Sequence, residues 1–140
     1  MTPYQLLHEA DRVLGSVVPG TAGRWPRACA WLIRLALEGA LDSYWEQVQP
    51  EAASCGMRAQ LLLLPSYAGP DTARRARESW TGLARAAHHH PYELAPTAAE
   101  LRGWHTLVTQ LVAELGVSRV EPRVGSQAGP PVRFPSWLSR

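Results

Sequence analysis

Pro26-Arg27-Ala28-Cys29-Ala30-Trp31-Leu32-Ile33-Arg34-Leu35-Ala36-Leu37-Glu38-Gly39-Ala40-Leu41-Asp42-Ser43-Tyr44-Trp45-Glu46-Gln47-Val48 reads as one long helix. Wound at about 3.6 residues per turn, it carries Trp31, Leu32, Leu35, Leu41, Tyr44 and Trp45 around much of its circumference. A helix this apolar on several sides needs neighbours on several sides, so it is expected at the centre of a bundle. Pro50 ends it, because proline has no N–H to continue the ladder.

Helical periodicity extends outward in both directions. Upstream, Thr2 as N-cap and Pro3 at the first helical position open a helix that puts Leu6, Leu7, Ala10, Val13, Leu14 and Val17 on one face. Gly15 weakens its end and Pro19-Gly20 stops it. Downstream, a small-residue loop through Gly56 leads to a shorter helix from Met57 to Leu64, closed by Pro65. A fourth helix begins after Gly69-Pro70-Asp71 and aligns Ala73, Ala76, Trp80, Leu83, Ala84 and Ala87. The fifth opens on a capping box, Thr97-Ala98-Ala99-Glu100, carries Leu101, Trp104, Val108, Leu111 and Leu115, and ends at Gly116. Trp31, Trp80 and Trp104 are expected to pack in the core, while Trp25, Trp45 and Trp137 lie near element ends as candidate surface anchors. There is no internal repeat, and no alternation long enough for a sheet. The expected fold is all-α: a four- to five-helix up-and-down bundle over residues 1–116, followed by an extended, Arg- and Pro-rich tail over residues 117–140.

Composition narrows the function classes. The chain has 140 residues, is 46% hydrophobic and carries a formal charge of +2, values of a single globular domain. No apolar run approaches the roughly 20 residues of a membrane span; Leu61 to Pro65 is far shorter. Met1-Thr2-Pro3-Tyr4 has no basic segment followed by an apolar one, so a cytoplasmic protein without a secretory leader or membrane association is expected. Cys29 and Cys55 fit no metal or redox spacing and read as reduced thiols. All cations are arginine, the side chain whose planar fork suits phosphate better than lysine does.

The chemistry concentrates in Arg85-Ala86-Ala87-His88-His89-His90-Pro91-Tyr92. Arginine grips phosphate, histidine moves protons near neutral pH, and tyrosine offers a modifiable hydroxyl. Residues five apart do not share a helical face, so Arg85 and His90 converge only where the helix is left behind. Pro91 supplies the reason, since it disfavours the helical conformation at His90; fraying is expected near His89 and His90. Three successive histidines fan out around a helix and have no cysteine or carboxylate pair at ligand spacing nearby, so neither a metal nor another cofactor is expected. Without further context, the run reads as an exposed helix end whose cationic histidines suit the macrodipole. Arg74, Arg75 and Arg77, with His88 and His89, offer contacts to an RNA backbone or form a solvated face.

Arg85-x4-His90-x-Tyr92 resembles the motif of the HEPN superfamily (higher eukaryotes and prokaryotes nucleotide-binding), in particular its toxin branch paired with nucleotidyltransferases. Glu93-Leu94-Ala95-Pro96-Thr97-Ala98-Ala99-Glu100-Leu101 is similar to that branch's polar loop and capped final helix. Ala30 to Leu41, with Glu38 punctuating it, resembles the second helix, and the likeness spans about residues 3 to 116. The resemblance implies a homodimer that brings two motifs to one cleft, and a metal-independent endoribonuclease, the toxin of a toxin–antitoxin or defence system. In that reading His90 assists removal of a proton from a ribose 2′-hydroxyl, and Arg85 stabilises charge on the phosphate. Glu38 orients or balances that pair, and the products carry 2′,3′-cyclic phosphate ends. Tyr92 matches the tyrosine that the paired nucleotidyltransferase modifies with AMP. The chain departs from the pattern at Ala86, where the family usually has a polar residue. The resemblance therefore also admits a non-catalytic dimeric module that binds nucleic acid, nucleotide or protein. Residues 117–140 are the expected arm for a protein antitoxin or other partner.

Overall fold

The computed structural model describes residues 1–16, 23–88 and 92–117, and among them it is all-helical, with no strand. The helices are α1 (Pro3–Gly15), α2 (Trp25–Val48), α3 (Pro50–Ala53), α4 (Met57–Ala68), α5 (Pro70–Ala87) and α6 (Ala98–Val117). Five match the segments expected from periodicity, and α3 is an additional single turn in the small-residue loop. The tail expected over 117–140 lies outside the described residues, apart from the helical backbone of Val117.

Local chemistry sets the helix starts. Thr2 Oγ1 accepts from the Gln5 N–H at 3.2 Å while Gln5 Oε1 accepts from the Thr2 N–H at 2.7 Å, a reciprocal capping box with Pro3 behind it. At α6, Thr97 Oγ1 accepts from the Glu100 N–H at 3.1 Å. α4 and α5 are separated by Gly69 alone, whose φ of +91° is open to glycine and strained for side-chain-bearing residues. α5 starts at Pro70, inside the turn where the sequence placed a loop.

α2 is the central element, packed against α1, α5 and α6, with α4 lying on α5. Its buried stripe is Cys29, Ala30, Ile33, Ala36, Leu37, Ala40, Leu41, Tyr44 and Trp45. Much of that stripe is small, which allows neighbouring helices close approach. Two tryptophan expectations reverse here. Trp31 is 52% exposed, whereas Trp45 is fully buried, edge-on between Tyr44 and Tyr67 with ring centroids 5.3 and 5.0 Å away. The apolar period of α2 is broad enough to leave its phase open, and packing selects the alanine-rich face at the crossings.

Tyr67 also explains why α4 does not stop at Pro65. Proline inside a helix costs about 3 kcal/mol, partly through the bond it fails to give the carbonyl four residues back. The extra turn to Ala68 packs the partly buried Tyr67 edge-on against Trp45, and Pro65 itself faces outward. From α4 the buried amide of Gln60 donates to Asp42 Oδ1 at 2.9 Å and to the Cys55 carbonyl at 3.0 Å, locking the α3–α4 corner to α2. Trp80 and Trp104 are partly buried against the core, as the stripes imply. α5 and α6 approach so closely at Gly82 that a Cβ there would lie 2.7 Å from Trp104 Cζ2.

Candidate functional site

α5 ends at Ala87, and His88 is already extended at φ −84°, ψ 138°. The expected fraying near His89 and His90 therefore comes earlier. The physical reason lies on α2: Arg27 Nη1 donates to the carbonyl of Ala86 at 3.4 Å, one of those the helix end leaves open, and to that of His88 just beyond it. His89, His90 and Pro91 lie outside the described residues, so the candidate Arg85–His90 pair is described only on its arginine side.

Arg85 sits in the last turn of α5 with its side chain 73% exposed. Both Nε and Nη2 donate to one oxygen of Glu93, at 3.2 and 2.8 Å. Those bonds and the carboxylate charge raise the guanidinium above its ordinary pKa. Tyr92 is fully exposed and Leu94 is 97% exposed, so the tyrosine is open to solvent.

Glu38, expected beside Arg85 and His90, has other partners. Its Oε1 accepts from Trp80 Nε1 at 2.9 Å and lies 3.4 Å from Arg34 Nε. The carboxylate at Arg85 is Glu93 instead. The arginines expected on an RNA-facing surface of α5 also divide. Arg74 bonds Asp71 at 2.8 Å and Glu78 at 3.2 Å, while Arg75 bonds Asp71 at 2.9 Å and Glu114 at 2.5 Å. The paired arginines hold the Asp71 carboxyl below its usual range. Among the described residues Arg77 has no carboxylate partner, and it is exposed, as is His88. No three His, Cys, Asp or Glu side chains among the described residues cluster at metal-binding distance. Cys29 and Cys55 are free and buried, and burial pushes the Cys29 thiol up to about 11.

A second group of cationic and aromatic side chains lies beside the end of α5. Arg24, Arg27, Trp31 and Arg34 line a cavity of about 900 Å³, closed on the other side by Ala87 and His88 at the end of α5. Their spacing of three, four and three places them on one face of α2, a basic–aromatic pattern that was legible in principle. The expectation of a core Trp31 hides it, since the pattern shows only when that ring is exposed. Comparison with models of known protein families, with curated proteins and with solved structures finds no match for this chain.

Proposed function

We propose that the protein is a HEPN-like module acting on RNA, a metal-independent endoribonuclease that leaves 2′,3′-cyclic phosphate and 5′-hydroxyl ends. The observation that carries the proposal is the exposed Arg85 guanidinium at the point where α5 gives way to the segment leading to Tyr92. In this reading the bundle dimerises and sets two such segments across one cleft. His90 takes the proton of a ribose 2′-hydroxyl as that oxygen attacks phosphorus. The bond from phosphorus to the 5′-oxygen breaks, the leaving oxygen gains a proton, and Arg85 balances the charge that builds on the phosphoryl oxygens. A toxin role with a protein antitoxin held by residues 117–140 is the corresponding cellular setting, and Tyr92, fully exposed, suits modification by a partner enzyme.

A second reading is a non-catalytic module that binds RNA. It is favoured by the Arg85–Glu93 pair, because the carboxylate offsets the positive charge that Arg85 would bring to the transition state at a substrate phosphate. The test is incubation of the full chain with varied RNAs in EDTA, with end-group analysis of the products. Cleavage abolished by Arg85→Ala and His90→Ala, at unchanged helical circular dichroism, supports the enzyme. Binding without cleavage supports the module, and neither binding nor cleavage removes both.

A further inference from the structure

From the cavity on α2 we infer a binding site for a nucleoside phosphate unit, its ring stacked on Trp31 and its phosphate held by Arg24 and Arg27. The inference stands on the cavity and does not depend on His90 or on cleavage.

The physical case begins with Trp31. An indole 52% exposed on a cavity wall leaves apolar surface in water that a core position would have removed. Such a face is a stacking platform for any planar ring, and stacking of a base on an aromatic side chain is sequence-tolerant. The charge around it has one sign. Arg24, Arg27 and Arg34 line the cavity, and the only carboxylate paired with any of them among the described residues is Glu38, on Arg34. That ion pair lacks hydrogen-bond geometry, so Arg34 Nε is buried with no hydrogen-bond partner among the described residues. Arg27 is held in place by its bonds to the carbonyls of Ala86 and His88, so its fork loses less freedom on binding. A volume of about 900 Å³ falls within the range of small-molecule sites, roughly 300–1,000 Å³. Cations flanking an exposed ring match an anion flanking a ring. A nucleoside phosphate has that form, either free or as one unit of an unpaired strand.

The experiment uses the full chain in EDTA, reading affinity by anisotropy and calorimetry. The probes are a labelled single-stranded RNA decamer, the same sequence as a duplex, AMP, and inorganic pyrophosphate. The single strand is expected to bind at least tenfold more tightly than the duplex, whose bases are already stacked. Trp31→Leu is expected to weaken binding about tenfold or more, and Trp31→Phe to keep most of it. Arg24→Gln is expected to weaken it and to lower the salt slope by about one. AMP displacing the strand identifies a free nucleotide as a sufficient ligand, and strand binding without AMP binding identifies RNA. Either outcome supports the site. The inference is overturned where pyrophosphate competes as well as RNA and Trp31→Leu changes nothing, because the cavity then holds only a generic anion. Absence of binding by every probe overturns it too, while the cleavage test of Arg85 and His90 stands apart.

Discussion

The bond from Trp80 to Glu38 joins α5 to α2 and decides whether Glu38 serves structure or chemistry. The indole N–H of Trp80 donates to Glu38 Oε1 at 2.9 Å, between side chains that are both partly buried. A hydrogen bond to a charged acceptor contributes about 1.5–3 kcal/mol, and a half-buried donor left without a partner loses a similar amount. Trp80→Phe removes the donor and part of the ring, so a loss of about 2–4 kcal/mol is expected. Glu38→Gln keeps an oxygen for the indole but ends the pairing with Arg34, whose side chain is 20% exposed. That variant should lose about 1–2 kcal/mol.

Glu38→Ala, Trp80→Phe and the double variant close a cycle whose coupling is expected at about 1–2 kcal/mol, because the two groups touch. Denaturant unfolding followed by helical circular dichroism measures it, with unchanged m-values as the condition for comparison. A coupling below about 0.3 kcal/mol would refute the reasoning, since independent sites add within that margin. The same Glu38→Gln protein, assayed on RNA, separates the roles. A structural Glu38 leaves turnover within a few-fold of the parent at temperatures where both are folded. A carboxylate that balances Arg85 and His90 lowers turnover by orders of magnitude at small loss of stability.

Three further outcomes test the packing and the charges. Gly82→Ala should destabilise by about 0–2 kcal/mol, because overpacking Trp104, whose Cζ2 would lie 2.7 Å from the new Cβ, outweighs a helix-propensity gain of about 1 kcal/mol. Gly103→Ala, with nothing within 4 Å of its Cβ, should instead stabilise; equal signs for the two glycines in thermal unfolding would refute the close approach. Asp71 titrates below its ordinary 3.8 because Arg74 and Arg75 bond it, so its contribution is present above that value and lost as pH falls through the lower folded value. The Tm gap between the parent and Asp71→Asn should therefore close in acid below about pH 4, and a gap constant from pH 6 to 2 would count against the pairing. Cys29 runs the other way: its thiol is raised from 9.0 to about 11, so its contribution is complete below pH 9 and declines as pH rises toward 11. Relative to Cys29→Ala, the parent should lose roughly 3 kcal/mol across that window in denaturant titrations, and parallel curves would exclude the buried thiol as the cause.

Helix identity was legible wherever a local signal was strong. Thr2-Pro3 and Thr97 through Glu100 mark starts that the structure places within a residue, because caps depend on atoms only three positions apart. Ala73, Ala76 and Leu83 are buried as their spacing implies. What local spacing does not contain is the partner. Asp71 and Arg75 form a visible four-residue pair, yet Glu114, which completes the Arg75 network at 2.5 Å, is brought there only by the packing of α6 on α5. Pro65 fails as a terminator for the same reason, since Tyr67 and Trp45 are far apart in sequence and close in space. The phase of α2 was open because large apolar residues surround it; the alanines that mark its true inner face are inconspicuous until neighbours press on them.

The end of α5 brings these threads together. A proline at position 91 explains why a helix must stop before it, but not why this one stops at Ala87. Helix ends leave carbonyls open, and a terminus is most stable where something donates to them. Arg27 does so from α2, across 59 and 61 residues of chain, and in doing so it becomes a wall of the cavity that also contains Trp31. The same guanidinium thus fixes where the motif segment leaves its helix and presents cationic surface to whatever enters beside it. Arg85 lies two residues before the capped terminus, so the position of the candidate phosphate grip depends on a residue of the neighbouring cavity. A change at Arg27 should perturb both regions at once, whereas changes at Trp31 or Arg24 should alter cavity binding and leave the end of α5 in place.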